Sequence, residues 1–166
     1  MSHYTIEDFQ GADIIDVRDV IARVEELREE KQDLIDAVSE AANEREAMAD
    51  TGSEEDKERA EKEHHEAMGA ESAWRDENSE ELEKLEELLS DLCGYGGDEQ
   101  WQGDWYPVTL INEEYFEPYM DDMLEDIGDM PKFKDIPAYL TITVDYDMLK
   151  QDYSEVEFDG NTYYYR

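Results

Sequence analysis

The stretch VRDVIARVEELREEKQDLIDAVSEAANEREAM, residues 17–48, decides the fold. Val17, Val20, Val24, Leu27, Lys31, Leu34, Val38, Ala41, Arg45 and Met48 recur at alternating spacings of three and four. That is the a/d seam of an amphipathic helix sustained over several heptads. Two seam places, Lys31 and Arg45, are basic, so the seam needs a partner that accepts charge near its edge. At 1.5 Å per residue the helix would be about 50 Å long. It cannot bury its stripe by itself.

The partner is predicted immediately downstream. Asp16 is placed to cap the first helix, with Asp19 in its first turn, and the helix runs to about Ala49. Asp50-Thr51-Gly52-Ser53 breaks it, and either Thr51 with Glu54 or Ser53 with Asp56 can cap a second helix. Apolar residues on that helix are sparse at first (Ala60, Ala67, Met68, Ala70, Trp74) and dense later (Leu82, Leu85, Leu88, Leu89, Leu92). A link this short makes the two helices antiparallel neighbours. Residues 16–93 therefore read as a coiled-coil-like helical hairpin with a leucine-rich base and a polar, alanine-rich tip. Asn78 with Glu81 is a further capping pair and predicts a kink or restart near Asp76–Ser79. A 3–4 seam serves an intramolecular hairpin and a homodimer alike, so a homodimer stays open.

Outside the hairpin the pattern changes. Residues 1–13 show no clear period, although Tyr4, Ile6 and Phe9 can dock on the body. Gly94-Tyr95-Gly96-Gly97 ends the second helix. A loop with Trp101, Gly103, Trp105 and Tyr106 follows, then a short strand over Pro107–Ile111. Asn112 caps a helix from Glu113 to Ile127, closed by Gly128, with Phe116, Tyr119, Met120, Met123 and Ile127 along one face. Residues 129–138 read as a loop, Leu140–Val144 as a strand, and Asp145 as the cap of a short helix to about Asp152. The end is a hairpin, Ser154–Phe158 and Thr162–Tyr165, turning at Asp159-Gly160. The expected fold class is α+β: residues 1–93 form an N-terminal segment and a long antiparallel helical hairpin, and residues 94–166 a small acidic α+β domain.

Charge is the outlying property. The 166 residues hold 49 Asp and Glu against 14 Lys and Arg, a net of −35 with a pI near 4.1. Residues 14–93 carry 28 acids and 10 bases, whereas residues 94–166 carry 18 acids and only 4 bases. The hairpin is partly self-compensated and the C-terminal part is almost purely anionic. Such an excess excludes nucleic acid as a ligand, which requires Lys and Arg to neutralise phosphates, and an anionic lipid surface would repel the chain. No basic patch followed by an apolar run marks the N-terminus, and no stretch is apolar enough for a membrane span. With Cys93 as the one cysteine, intramolecular disulfides and Cys-based metal sites are excluded and a cytoplasmic location is expected.

Catalytic and metal motifs are weak. Glu61 and His64 form one Glu-x-x-His pair, but carboxylate-bridged bundles need it twice with two further glutamates. Asp145 and Asp147 lack the glycine and terminal glutamate of a calcium loop, and Gly94–Gly97 follows a helix rather than a strand, unlike a phosphate loop. Cys93, near a helix C-terminus, is disfavoured as a thiolate and reads as core. The aromatic residues Trp101, Trp105, Tyr106, Tyr163, Tyr164 and Tyr165 read as packing of the small domain rather than as a base-stacking platform. No metal, no cofactor and no enzymatic activity are expected.

What remains is the acidity itself, whose plain reading is a solvated surface or adaptation to a saline cell. Against that, the acids recur on structured elements: Glu114, Glu117, Asp121 and Glu125 are three or four residues apart, which sets carboxylates about 5–6 Å apart on one helix face. B-form DNA carries about one charge per 1.7 Å of axis, so a rigid row of this kind can present a DNA-binding groove with a comparable line of negative charge. The candidate contact residues are Glu113, Glu114, Glu117, Asp121, Asp122, Glu125 and Asp126, with hairpin acids extending the footprint.

Several C-terminal stretches (GYGGDEQW from Gly94, WYPVTLI from Trp105, Tyr115-Phe116, EDIG from Glu125, and VEFDGNTY from Val156) resemble a family of small acidic proteins of tailed phages and other mobile elements. A fainter echo lies at GADIIDVRD from Gly11. In charge and size, though not in motif, the chain is also similar to anti-restriction and anti-CRISPR DNA mimics. The resemblance implies counter-defence in a host cell's cytoplasm, without catalysis. The expected partner is then a basic DNA-binding protein or complex: a restriction enzyme, a CRISPR effector or a nucleoid protein. The competing expectation is an acidic coiled-coil interaction or assembly module, with the hairpin as its working surface and acidity serving solubility.

Overall fold

A computed structural model of the chain describes residues 4–94, 96–128 and 136–166. No proline precedes Pro107, so both seam-bearing stretches can run as unbroken helices. The first elements are α1 (Ile6–Phe9), β1 (Ile14–Asp16), α2 (Val17–Thr51) and α3 (Glu54–Leu92). The chain divides into two compact units, one of residues Ala22–Glu87 and the other of Tyr4–Ile21 with Leu88–Arg166.

The first unit is the antiparallel helical hairpin. Arg23 meets Glu81, Trp74 donates from Nε1 to Glu30 at 2.9 Å, and Arg45 meets Glu61. From Arg23 through Glu30 to Arg45 the α3 partner falls from Glu81 through Trp74 to Glu61. Val24, Leu27, Leu82 and Leu85 are buried, each worth about 1.5–3 kcal/mol of hydrophobic stabilisation. Nearer the link the seam thins: Leu34, Val38, Ala41 and Met48 are half-buried, and Lys31 and Arg45 are exposed. Two helices cover only one stripe of each other, so small and basic seam residues leave that part open to water.

The link depends on Gly52, where a Cβ would lie 2.8 Å from the Met48 carbonyl oxygen. Of the two expected capping pairs, Ser53 and Asp56 form the box that opens α3. The Asp56 amide donates to Ser53 Oγ at 3.2 Å and the Ser53 amide to Asp56 Oδ2 at 3.3 Å. Thr51 instead turns its hydroxyl back to the Ala47 carbonyl. The restart expected near Asp76–Ser79 does not occur, since α3 is continuous from Glu54 to Leu92. Asn78 and Ser79 donate to the carbonyls of Trp74 and Arg75, four residues back, so their side chains join the helical ladder rather than cap a new helix.

The second unit is built on an antiparallel sheet of β1, β4 (Thr109–Asn112), β5 (Ser154–Phe158) and β6 (Asn161–Tyr165), in the order β1-β4-β6-β5. Ile15 lies opposite Leu110, Ile111 opposite Tyr164, and Val156 opposite Tyr163. Directly paired residues share a face, so Ile15, Leu110, Tyr163 and Val156 project to one side and Ile111 and Tyr164 to the other. Both sets are buried. The β5–β6 turn falls at Asp159 (φ 48°) and Gly160 (φ 76°), a pair of left-handed residues that suits the sheet twist.

β1 was not expected from sequence; three residues are too few to show alternation. It brings Asp16 to the start of α2, where Oδ1 accepts from the Arg18 amide at 2.9 Å, the expected capping bond. The expected loop around Trp101 and Trp105 is a tight hairpin of β2 (Glu99–Trp101) and β3 (Asp104–Tyr106), turning at Gln102 and Gly103, both at positive φ. Of the aromatic residues expected to pack this domain, Tyr106, Tyr163 and Tyr164 are buried, Trp101 and Tyr165 half-buried, and Trp105 exposed.

The expected helix from Glu113 divides into a 3-10 turn, Glu113–Tyr115, and α4 (Phe116–Asp126). A last short helix, α5 (Tyr146–Lys150), is capped by Asp145, whose Oδ1 accepts from the Met148 amide at 3.1 Å.

Two expectations fail here. Leu140–Val144 joins no strand among the described residues, because strand identity needs a hydrogen-bonded neighbour as well as β-prone residues. Cys93 is exposed rather than core; it falls one residue past α3, off the stripe on which Leu88, Leu89 and Leu92 are buried. Most of the loop expected over 129–138, residues 129–135, lies outside the described residues. Among the described residues no helix is long and apolar enough to cross a membrane.

Candidate acidic partner-binding face

The face is made by the second unit's Asn112–Asp126 segment. Asn112 is buried; its Oδ1 accepts from the Glu114 amide at 3.0 Å and its own amide donates to the Asp13 carbonyl at 2.8 Å. The start of the segment is thereby fixed to β4. Phe116 and Met120, four residues apart, are fully buried against Ile111 and Tyr164 of the sheet, with Tyr119, Met123, Tyr146, Leu149 and Tyr153 around them. Phe116 meets Tyr153 edge-on, with centroids 5.4 Å apart. This anchor turns the opposite helix face outward.

That outward face carries the sequence-predicted residues. Glu113, Glu114, Glu117, Asp122 and Asp126 are exposed, and Asp121 and Glu125 half-buried. Glu113, Glu117, Asp121 and Glu125 follow one another at intervals of four, so they form a slowly drifting row. Over 14 residues the seven acids span about 20 Å, with the four of the row about 6 Å apart, against the 3.4 Å interval along one DNA strand. All seven predicted residues thus belong to one short, anchored segment. Ile127, assigned by sequence to the packed face, is 59% exposed, because α4 ends at Asp126.

The row has neighbours that sequence reasoning missed. Burial raises the Tyr164 phenol above its ordinary range, and Glu113 and Glu155 add to the shift, so a carboxylate from the 3-10 turn before α4 and one from β5 act on the same hydroxyl. Glu155 and Glu157 alternate with buried Val156 and Phe158; that period-two pattern was the available signal. On another side Glu117 lines a cleft of about 390 Å³ with Thr143, Val144, Asp145, Tyr146 and Asp147. Within this region the Tyr146 hydroxyl donates to Asp121 Oδ1 at 2.6 Å. That bond, with burial and the charges of Asp121 and Glu117 behind it, pushes the phenol up to about 12.

The described bases leave these seven carboxylates out of their ion pairs. In the hairpin unit, Arg23, Arg28, Arg45, Lys57, Arg59, Lys62, Arg75 and Lys84 each pair with a carboxylate. In the anionic segment, Lys132 and Lys134 lie outside the described residues, and Lys150 stands over the rings of Phe116 and Tyr164 at 5.6 and 5.4 Å. Among the described residues no lysine or arginine is joined to any of the seven acids. His64, the weak metal candidate, shares its Nδ1 with Arg45 at 3.3 Å, an arrangement in which the ring nitrogen accepts.

No family model, no curated protein and no solved structure matches this chain.

Proposed function

We propose that the chain is a DNA mimic, an anti-defence inhibitor whose acidic face occludes the basic DNA-binding surface of a host restriction or CRISPR complex. The observation that carries this reading is the contrast in charge pairing. Eight of the hairpin unit's nine bases are held in ion pairs with hairpin acids, whereas the seven carboxylates of one anchored segment, five exposed and two half-buried, are in no ion pair among the described residues. A row of such carboxylates can meet the Lys and Arg that normally hold phosphates, displace their counterions and speed association by electrostatic steering. The likeness to small acidic proteins of mobile elements supports the same direction.

The test is charge reversal at exposed positions. Glu113, Glu117, Asp122 and Asp126 changed together to Lys should abolish inhibition of the target's DNA binding, with the circular dichroism spectrum unchanged. A target recovered from host lysate at low salt should be released by competing DNA and by moderate salt. Inhibition that survived the reversal would sink the idea.

A second reading, the coiled-coil assembly module, draws on the half-buried Leu34, Val38, Ala41 and Met48. It predicts instead that Leu34→Asp breaks partner binding and that salt has little effect.

A further inference from the structure

The four-stranded sheet ends at β1 on one side and at β5 on the other, and the two edges offer different things. β1 has three residues and passes directly into α2. β5 has five, Ser154–Phe158, and among the described residues its backbone bonds to β6 alone. The direction of its outer groups follows from the ladder. The Asn112 amide donates to the Asp13 carbonyl at 2.8 Å, toward β1. Bonding direction alternates along a strand, so Ile111 bonds toward β6, its partner Tyr164 toward β4, and Tyr163 toward β5. Ser154, Val156 and Phe158 therefore direct their amides and carbonyls to β6, and Glu155 and Glu157 aim theirs off the sheet. The side chains of these two glutamates, opposite Tyr164 and Thr162, are exposed on the sheet face against which α4 packs.

An open edge is a template for another strand, and the charge around it selects which. Asp152 and Asp159 flank β5 in sequence, Glu155 and Glu157 lie on it, and Glu113 acts with Glu155 on the Tyr164 hydroxyl. Against these five acids stand two bases: Lys150, held over the Phe116 and Tyr164 rings, and Arg166, which follows β6. None of the five carboxylates is in an ion pair among the described residues. A second copy pairing through the same edge sets Glu155 and Glu157 against their counterparts in either direction, and like charges opposite one another destabilise. An extended protein segment with Lys or Arg at alternate positions suits the edge instead. Its backbone continues the ladder, and its cations stand on the Glu155–Glu157 side. We propose that the outer edge of β5 receives such a basic extended segment of the partner, paired through the backbone of Glu155 and Glu157. The proposal rests on the acidic α4 face being the surface a basic partner meets, and it adds main-chain recognition to the attraction of charge.

The probe is a short synthetic peptide of alternating lysine and valine, titrated into the full chain. Amides of Val156 and Phe158 should resist exchange in the free protein, and those of Glu155 and Glu157 should become protected as the peptide binds. Two N-methylated copies of equal charge, one blocked at its lysine amides and one at its valine amides, separate pairing from attraction. One should lose binding and the other keep it. Glu157→Gln and Glu157→Pro each remove one charge, and proline also removes an amide that faces off the sheet, a place where an edge strand tolerates it. With circular dichroism unchanged, Glu157→Pro should bind the peptide about fivefold more weakly than Glu157→Gln, the worth of one net hydrogen bond. Three results would each overturn the proposal: equal binding of all three peptides, equal affinity of the two folded variants, or Glu155 and Glu157 amides that exchange as fast with peptide as without it. Such a failure is distinct from failure of the mimic reading, because the peptide assay involves no DNA-binding target and the α4 charge reversal leaves Glu155 and Glu157 in place.

Discussion

Asn112 and Ala12 stand 100 residues apart in the chain and are joined by a hydrogen bond from Asn112 Nδ2 to the Ala12 carbonyl at 3.3 Å. The same side chain accepts from the Glu114 amide, so one buried amide both holds the segment before β1 and starts the acidic segment. Asn112→Ala removes both bonds and leaves a carbonyl and an amide without their partner. It should cost about 2–3 kcal/mol, read as a lower urea midpoint at unchanged m-value. Asn112→Asp keeps the acceptor but sets a carboxylate near the Ala12 carbonyl, and should cost at least as much.

Arg23 and Glu81 tie the hairpin together where its seam is best packed. Their side chains are 13% and 12% exposed, Nε meets Oε1 at 2.9 Å, and Glu26 takes a second guanidinium nitrogen at 2.8 Å. A mostly buried, charge-assisted pair is costly to break from one side because the remaining charge stays desolvated. Glu81→Ala should therefore destabilise by about 2–3 kcal/mol. The more exposed Arg28–Glu86 pair should be worth under about 1 kcal/mol in a double-mutant cycle. Thermal or urea unfolding at fixed salt separates the two.

The hairpin was legible because its signal is repetitive. Each seam place from Val17 to Met48 supports the next, Ser53 with Asp56 caps in the way such pairs do, and Asp159-Gly160 turns the last hairpin as that pair prefers. The acidic row was legible for the same reason, since a helix of known phase fixes which carboxylates share a face. Non-local pairing was not. β1 has three residues and becomes a strand only because β4, nearly 100 positions away, lies beside it. Leu140–Val144 has the better strand composition and lacks such a neighbour among the described residues. Glu155 enters the acidic region only through its register opposite Tyr164, which no local pattern specifies.

Tyr146 offers a pH handle on the same face. Its ordinary value of 10.0 is pushed up to about 12, first by the hydrogen bond to Asp121, then by burial and by the charges of Asp121 and Glu117. A folded-state value raised above the unfolded one means that the folded protein holds the proton longer. The stabilising contribution is complete below pH 10 and is lost as pH rises toward 12. Site-resolved tyrosine NMR should show Tyr146 titrating late, and Asp121→Asn should bring it back toward 10. Tyr146→Phe should flatten the fall in stability over that window. A Tyr146 that titrates at its ordinary value in the wild-type protein would remove the Asp121 bond from this account.

Lys150 separates the field of the acidic face from its local packing. It is half-buried, with its ammonium over Phe116 at 5.6 Å and over Tyr164 at 5.4 Å, close to where Glu113 and Glu155 act on the Tyr164 hydroxyl. Lys150→Met preserves the apolar stem and removes the charge, so the loss of stability should be confined to the cation–π part, about 0.5–1 kcal/mol. The face then becomes more negative by one. A partner that reads negative charge should bind as well or better at low salt, with at least as steep a loss of affinity as salt rises. A partner that reads the shape of the Phe116–Tyr164 surface should instead bind more weakly at all salt concentrations. Measuring affinity against salt for Lys150→Met beside the wild type, with unfolding midpoints to correct for stability, tells the two apart, because charge and packing move the result in opposite directions.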